Sequence, residues 1–233
     1  MKLKYETLER LLVQRPVDRI SFIADSCANK VVLDIGCFDE TALIKRETRY
    51  WLHGRIAAKA KRVIGVDNST KIPSEGIATG ENSKIYRGDG IHIDATVTDK
   101  FAFELLVAGE FIEHIENPLE FLRSIKDKFA GCELIISTPN GVSFANTLLG
   151  FINREVQHHD HLHNFTYKIL NTLCVRSAMT GWEIIPYRFY ATEMILGSTG
   201  AKRTFVVVVE RFIRAVEYLF PLLSFGYIVK IKI

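Results

Sequence analysis

The feature that most limits what this chain can fold into is a continuous apolar strand running into one glycine set among acids: Val31 to Glu40, VVLDIGCFDE. Val31, Val32 and Leu33 form the unbroken apolar run of a parallel strand covered on both faces. Gly36 lets the backbone turn sharply and come close to a ligand. A second unit, Val63 to Asp67 (VIGVD), ends in an acid about thirty residues further on, where nucleotide-binding βαβ folds keep a ribose-binding carboxylate.

The glycine count separates the candidate nucleotides. A dinucleotide site needs G-x-G-x-x-G so that a pyrophosphate can rest on a helix N-terminus. From Gly36 this chain reads Gly-Cys-Phe-Asp-Glu-Thr, with no second glycine. S-adenosylmethionine carries no phosphate and needs one close backbone approach plus acids for its ammonium and ribose. Asp34, Gly36 and Asp67 suit it better than NAD, so an NAD-dependent oxidoreductase is the weaker rival.

On these residues the chain resembles the class I S-adenosylmethionine-dependent methyltransferases, whose first motif is a DxGCGxG-like run. The resemblance continues through Arg87-Gly88-Asp89-Gly90, the fourth strand Phe103 to Ala108, and Glu113-His114-Ile115-Glu116-Asn117-Pro118-Leu119-Glu120-Phe121-Leu122, similar to the EHxxNPxxFL pattern of one subgroup. It ends with Leu134 to Ser137 and Thr138-Pro139-Asn140-Gly141. It implies an α/β, Rossmann-like fold: a seven-stranded mixed sheet with helices on both faces and a small helical lid. It also implies S-adenosylmethionine as cofactor, held by Asp34, Gly36, Cys37, Asp67, Asn68, Asp89, Gly90 and Glu110.

Composition agrees with one such domain over residues 1–233. With 48% hydrophobic and 24% charged residues the chain can bury one sizeable core. A formal charge of +3 with no basic block gives no argument for nucleic acid, which is not the expected partner. Cys27, Cys37, Cys132 and Cys174 form no CxxC pair, so neither a zinc site nor a disulfide framework is expected. The polar start shows no signal sequence, and no segment reads as membrane-spanning; a cytoplasmic location follows as the expectation.

The remaining segments are where acceptors are chosen. Residues 1–29 carry apolar positions at helical spacing broken at Pro16, an expected cap of two short helices. Glu47 to Lys61 reads as a helix in which Trp51 packs in the core and His53 has no assigned role. Residues 141–168 form the lid segment, and Gln157 to Thr166 holds four of the chain's seven histidines. The same run resembles the DHxxxFT stretch that carries related chains over the acceptor pocket, with Thr166 capping a helix from Tyr167 to about Met179. Asn117 and Pro118 predict another helix start. Residues 204–220 have the apolar spacing of an amphipathic helix, although Phe205 to Val209 favours a strand by propensity. Its apolar face packs on the sheet or serves a homodimer, a membrane surface or a lipid-linked acceptor. Phe225 to Ile231 reads as a final antiparallel strand.

Methyl transfer from a sulfonium is an in-line displacement that needs a close, dry, aligned acceptor and, for a hydroxyl, a base. A neutral imidazole is suited to that task, and His114 and His161 are the candidate catalytic residues. The expected reaction is O-methylation of a sugar, glycan precursor or other small hydroxylated metabolite, by subgroup analogy, with no metal. A narrower resemblance sets Glu110, Glu113, His114 and His161 beside the ExxEH and downstream His of small-RNA 3′-terminal 2′-O-methyltransferases, where a divalent ion holds the ribose hydroxyls. The missing glycines leave open a third class, a non-catalytic cofactor-binding or interaction protein. Asp34, Asp67, Asp89 and Glu110 argue against it.

Overall fold

The computed structural model describes residues 9–38, 42–46, 48–94, 97, 100–155 and 157–233. Asp39, Glu40 and the first residues of the expected N-terminal cap lie outside them. One sheet runs through the chain in the order β3-β4-β2-β1-β5-β6-β8-β7. Its central strands β4 (Ser83–Arg87), β2 (Arg62–Asp67), β1 (Val31–Ile35), β5 (Leu105–Gly109) and β6 (Glu133–Pro139) are parallel. β8 (Gly226–Lys232) is antiparallel to both β6 and β7 (Gly181–Tyr187), as expected of the last strand.

The strand count corrects the expectation: the sheet has eight strands among the described residues, not seven. The extra one, β3 (Ile77–Gly80), is an edge strand antiparallel to β4. It is four residues long with two small side chains, so neither propensity nor alternation marks it in sequence.

Alternate residues of the central strands point to opposite faces, each with its own helices. Leu33, Ile35, Leu106 and Ile136 pack with Phe121, Leu122 and Ile125 of α4 (Pro118–Lys128) and with Leu170 of α6 (Tyr167–Arg176). Val32, Val63, Leu105 and Val107 pack with Ile23 of α1 (Arg19–Ser26) and Ile56 of α3 (Leu52–Ala57). The Asn117 side chain accepts from Glu120 N–H at 3.1 Å with Pro118 in the first turn of α4. Thr166 caps α6. Trp51 is in the core against Phe38, Ala42, Ile72 and Ile85.

The N-terminal cap departs from expectation. Residues 9–16 are not helical, and Val17 is tied to the end of β7, its N–H donating to Pro186 O and its carbonyl accepting from Arg188 N–H. Pro16 has no N–H to give a helix, and this bridge fixes Val17 in an extended pairing. One helix, α1, follows. In the segment 141–168, expected as a lid, the described residues before α6 hold one short helix, α5 (Phe144–Gly150). After α2 (Ala42–Lys45) and α7 (Thr192–Leu196), the long helix α8 (Gly200–Leu219) forms from the segment expected at 204–220, so periodicity outweighs the β-propensity of its valines. No described helix is long and apolar enough to cross a membrane.

Candidate active site

The carboxyl ends of β1, β2 and β5 lie on either side of the point where the strand order reverses, the usual crevice of open α/β sheets. Gly36 leaves β1 at φ +66, and its N–H donates to Val66 O at 2.9 Å. A Cβ there would meet Phe111 Cδ2 at 2.5 Å, and one on Gly90 would meet the same ring at 2.9 Å. Phe111, just past β5, thus requires two of the expected glycines to be glycines.

Asp67 ends β2 and is held by two backbone donors. Phe38 N–H gives to Oδ2 and Ser69 N–H to Oδ1, both at 2.9 Å. This fixes the carboxylate against the glycine turn. Asn68, beside it, is exposed. Asp89 is also exposed, with Oδ1 accepting Ile91 N–H at 2.8 Å.

Two of the expected cofactor residues are engaged elsewhere. Asp34 is buried with Oδ2 2.8 Å from His53 Nδ1, and His53 Nε2 lies 2.8 Å from Ser83 Oγ and 3.0 Å from Thr79 Oγ1. Gly65 makes room for this group, since its Cβ would strike Cys37 Sγ and crowd the His53 ring. Burial pushes the Cys37 thiol well up, so it sits beside this pair as a neutral group. Glu110, at φ +54, accepts from Tyr187 Oη at 2.9 Å and Tyr190 Oη at 2.5 Å and pairs with Arg19 at 3.3 Å. Arg19 is buried too, and burial is the largest single influence on it, lowering its pKa, but Glu110 and the other acidic groups around it together outweigh burial and keep the guanidinium protonated.

The histidines do come together. The backbone N–H groups of Leu162 and His163 donate to Glu113 O, fastening the histidine-bearing loop to the segment after β5. His161 consequently stands edge to face with His114, ring centroids 4.6 Å apart, and His158 lies 5.9 Å from His114. His161 Nδ1 is 3.0 Å from Gln157 Oε1; with the proton on Nδ1, the lone pair is on Nε2. Burial first, then neighbouring histidines, lower the pKa values of both His114 and His161, so both imidazoles are neutral near pH 7. His163 faces outward to Glu116 O, and His159 is exposed beside Asp160.

Glu113 lies beneath them. It is buried, with the Thr138 hydroxyl and its own backbone N–H beside the carboxyl but neither in full hydrogen-bond geometry, and burial raises its pKa to about 8. Ligand atoms of Glu113, His114 and His161 lie within 4.8 Å of one another, and so do those of Asp34, Cys37 and His53. Sequence reasoning left His53 without a role and gave none to Tyr187, Tyr190 or Arg19. The last three are far from Glu110 in sequence, and no local motif marks them.

No protein-family model matches the sequence, and the curated proteins contain no significant match. Solved structures do match. The chain superposes on the small RNA methyltransferase HEN1 with TM-score 0.57 at 18% identity, covering 97% of this chain and 27% of that protein. On the methyltransferase domain of bacterial CtHen1-CN the TM-score is 0.54 at 14% identity, over 93% and 98% of the two chains. An S-adenosylmethionine-dependent methyltransferase of Mesorhizobium loti gives 0.54 at 15% identity, over 92% and 96%. The chain has the fold of these methyltransferases.

Proposed function

We propose that this protein transfers a methyl group from S-adenosylmethionine to a hydroxyl of a sugar, glycan precursor or other small metabolite. The observation that carries the proposal is the pairing of two neutral imidazoles, His114 and His161, at the carboxyl edge of a methyltransferase-type sheet. The residues at that edge fit the cofactor. Gly36 turns the chain at the crevice with a positive φ, and Asp67 offers a carboxylate fixed against that turn by two backbone N–H donors. Asp89 and Asn68 are open to the adenosine portion. Asp34 and Cys37 support the turn from behind, and Glu110 organises Arg19, Tyr187 and Tyr190 at the end of β5.

When bound, the cofactor supplies an electrophilic methyl on a sulfonium. The chain's part is to hold the acceptor and take its proton. The lid loop, anchored on Glu113 O, keeps water away, and the Nε2 lone pair of His161 or the His114 ring receives the hydroxyl proton.

A second reading is favoured by one specific observation, the buried carboxyl of Glu113, which has no hydrogen bond of full geometry, beside His114 and His161. Two imidazoles and one carboxylate suit manganese better than magnesium. A divalent ion there would satisfy both Glu113 oxygens and supply Lewis-acid charge for a vicinal diol. The acceptor would then be a 3′-terminal ribose of an RNA; one protein of similar fold, HEN1, is named as a small RNA methyltransferase.

Calorimetric titration with S-adenosylhomocysteine, alongside NAD and repeated with manganese and with chelator, tests both. Binding of S-adenosylhomocysteine without metal, followed by methylation of hydroxylated glycosides, is the expected result. A manganese-dependent heat lost in Glu113→Gln moves the assignment to the diol reading. No binding under any condition overturns methyl transfer.

A further inference from the structure

The long helix α8 is turned with its acids inward. Glu210 and Glu217, its two acidic residues, are buried and accept the N–H groups of Ala191 and Phe189 at 3.0 and 2.7 Å, joining the helix to the segment that leaves β7. Arg214 stays on that side, donating to Glu210 and to Phe189 O. The outward face carries Phe205, Val208, Phe212 and Leu219, spaced three, seven and fourteen residues from the first, one helical stripe. All four are more than half exposed, Phe205 at 68%. Exposed charges on the helix are basic without exception: Lys202, Arg203 and Arg211, none in an ion pair among the described residues.

The apolar surface extends beyond the helix. The Phe212 ring contacts Phe144 of α5 with centroids 6.1 Å apart, and past the end of α5 Phe151 is 82% exposed and Ile152 62%. Phe220 continues it at the other end. Arg154 and Glu155 after α5 cancel in charge. Because β7 and β6 both run antiparallel to β8, the Phe189 to Ala191 segment and α5 leave the same carboxyl edge of the sheet as Glu110 and the lid.

We infer that this face docks on the anionic surface of a phospholipid bilayer, α8 lying in the interfacial plane with its aromatic and aliphatic stripe in the headgroup region. Soluble chains seldom leave large apolar side chains outward on a helix while burying its carboxylates. The arrangement is that of an interfacial amphipathic helix, apolar stripe and cations together. Charge selects this occupant over a second copy of the chain. A two-fold contact along the stripe would bring Lys202 and Arg211, which flank it on either side, to the interface from both copies, with no exposed acid on the helix to meet them. An anionic membrane meets both favourably, while Arg203 lies on the opposite side of the helix. Docking would hold the lid and candidate site beside the bilayer. The inference does not depend on the methyl-transfer reading, since α8 contributes no residue to that site.

Co-sedimentation of the full chain with vesicles of phosphatidylcholine alone, or with added phosphatidylglycerol, tests it. Binding to the anionic vesicles that weakens as salt is raised, with far weaker binding to neutral ones, is the expected result. Lys202→Glu and Arg211→Glu should each lower partitioning by roughly fivefold or more. Phe205→Ser with Leu219→Ser should lower it further, with thermal melting reporting whether the fold is kept. The lipid and salt dependence of the unaltered chain decides the matter even if a variant misfolds. Failure to bind anionic vesicles overturns the inference. So does sedimentation velocity showing a dimer that Phe205→Ser dissolves, which would make a second copy the occupant.

Discussion

The Asp34 carboxylate and the His53 imidazole form a buried pair, Oδ2 to Nδ1 at 2.8 Å, directly behind the glycine turn of β1. His53 then reaches Ser83 and Thr79, so the ring ties β1 to the β3–β4 edge hairpin. Removing the ring leaves the buried Asp34 carboxylate without this partner, while Ser83 and Thr79 keep each other, Oγ to Oγ1 at 2.6 Å. His53→Ala is expected to cost about 2–3 kcal/mol. At about 2–4 °C per kcal/mol in a chain of this size, thermal denaturation should show a fall of about 5–10 °C. Melting unchanged within a degree would mean the pair contributes nothing to the fold.

Asp67 should matter to the cofactor more than to stability. Asp67→Asn keeps one carbonyl oxygen for a backbone donor but loses the charge and one acceptor. Affinity for S-adenosylhomocysteine is expected to fall roughly tenfold or more, with melting shifted by only a few degrees. Gly36→Ala should be worse on both counts, because φ is +66 and the new Cβ meets the Phe111 ring. Calorimetry on the two variants separates the effects; equal affinity for Asp67→Asn and the unaltered chain would remove Asp67 from the cofactor site.

His114 and His161 give a pH signature. Both titrate below the ordinary histidine value of 6.5 because of burial, so both act as bases across the neutral range. The acid limb of kcat/KM should therefore have its midpoint below pH 6.5. His161→Gln or His114→Gln should lower kcat about a hundredfold while leaving S-adenosylhomocysteine affinity intact. Steady-state rates from pH 5 to 9 check this; an acid limb that persists unchanged in both variants would assign the base elsewhere.

Glu217 links stability to pH. It is fully buried on the inner face of α8, and burial pushes its pKa from 4.5 to about 7. The folded chain keeps this proton where the unfolded chain has released it. The resulting stabilisation is fully present below pH 4.5 and is lost as pH rises through 7, a change of up to about 3 kcal/mol. Glu217→Gln, which mimics the protonated acid, should remove this dependence. Urea unfolding at pH 5, 6, 7 and 8 would show the variant gaining on the unaltered chain as pH rises; parallel curves would contradict the assignment.

The central strands were legible in the sequence because their signals are local. VVLDIG and VIGVD are short apolar runs ending at a turn or an acid. The caps Asn117 and Thr166 bond to residues three positions away, and Gly36 needs a positive φ that its own turn demands. The apolar period of α8 was local too. The sequence by itself thus determined a parallel α/β sheet with a glycine turn at its carboxyl edge, and it brought His114 and His161 forward as candidates. Tertiary structure alone decided the rest, for reasons of distance along the chain. Val17 pairs with β7, Arg19 and two tyrosines gather on Glu110, and Asp34 turns to a histidine on α3 rather than into the crevice. Which face of α8 is buried was also not written in its period. An apolar stripe ordinarily turns inward, but Glu210 and Glu217 find backbone donors on the segment after β7, and satisfying those donors rotates the phenylalanines out.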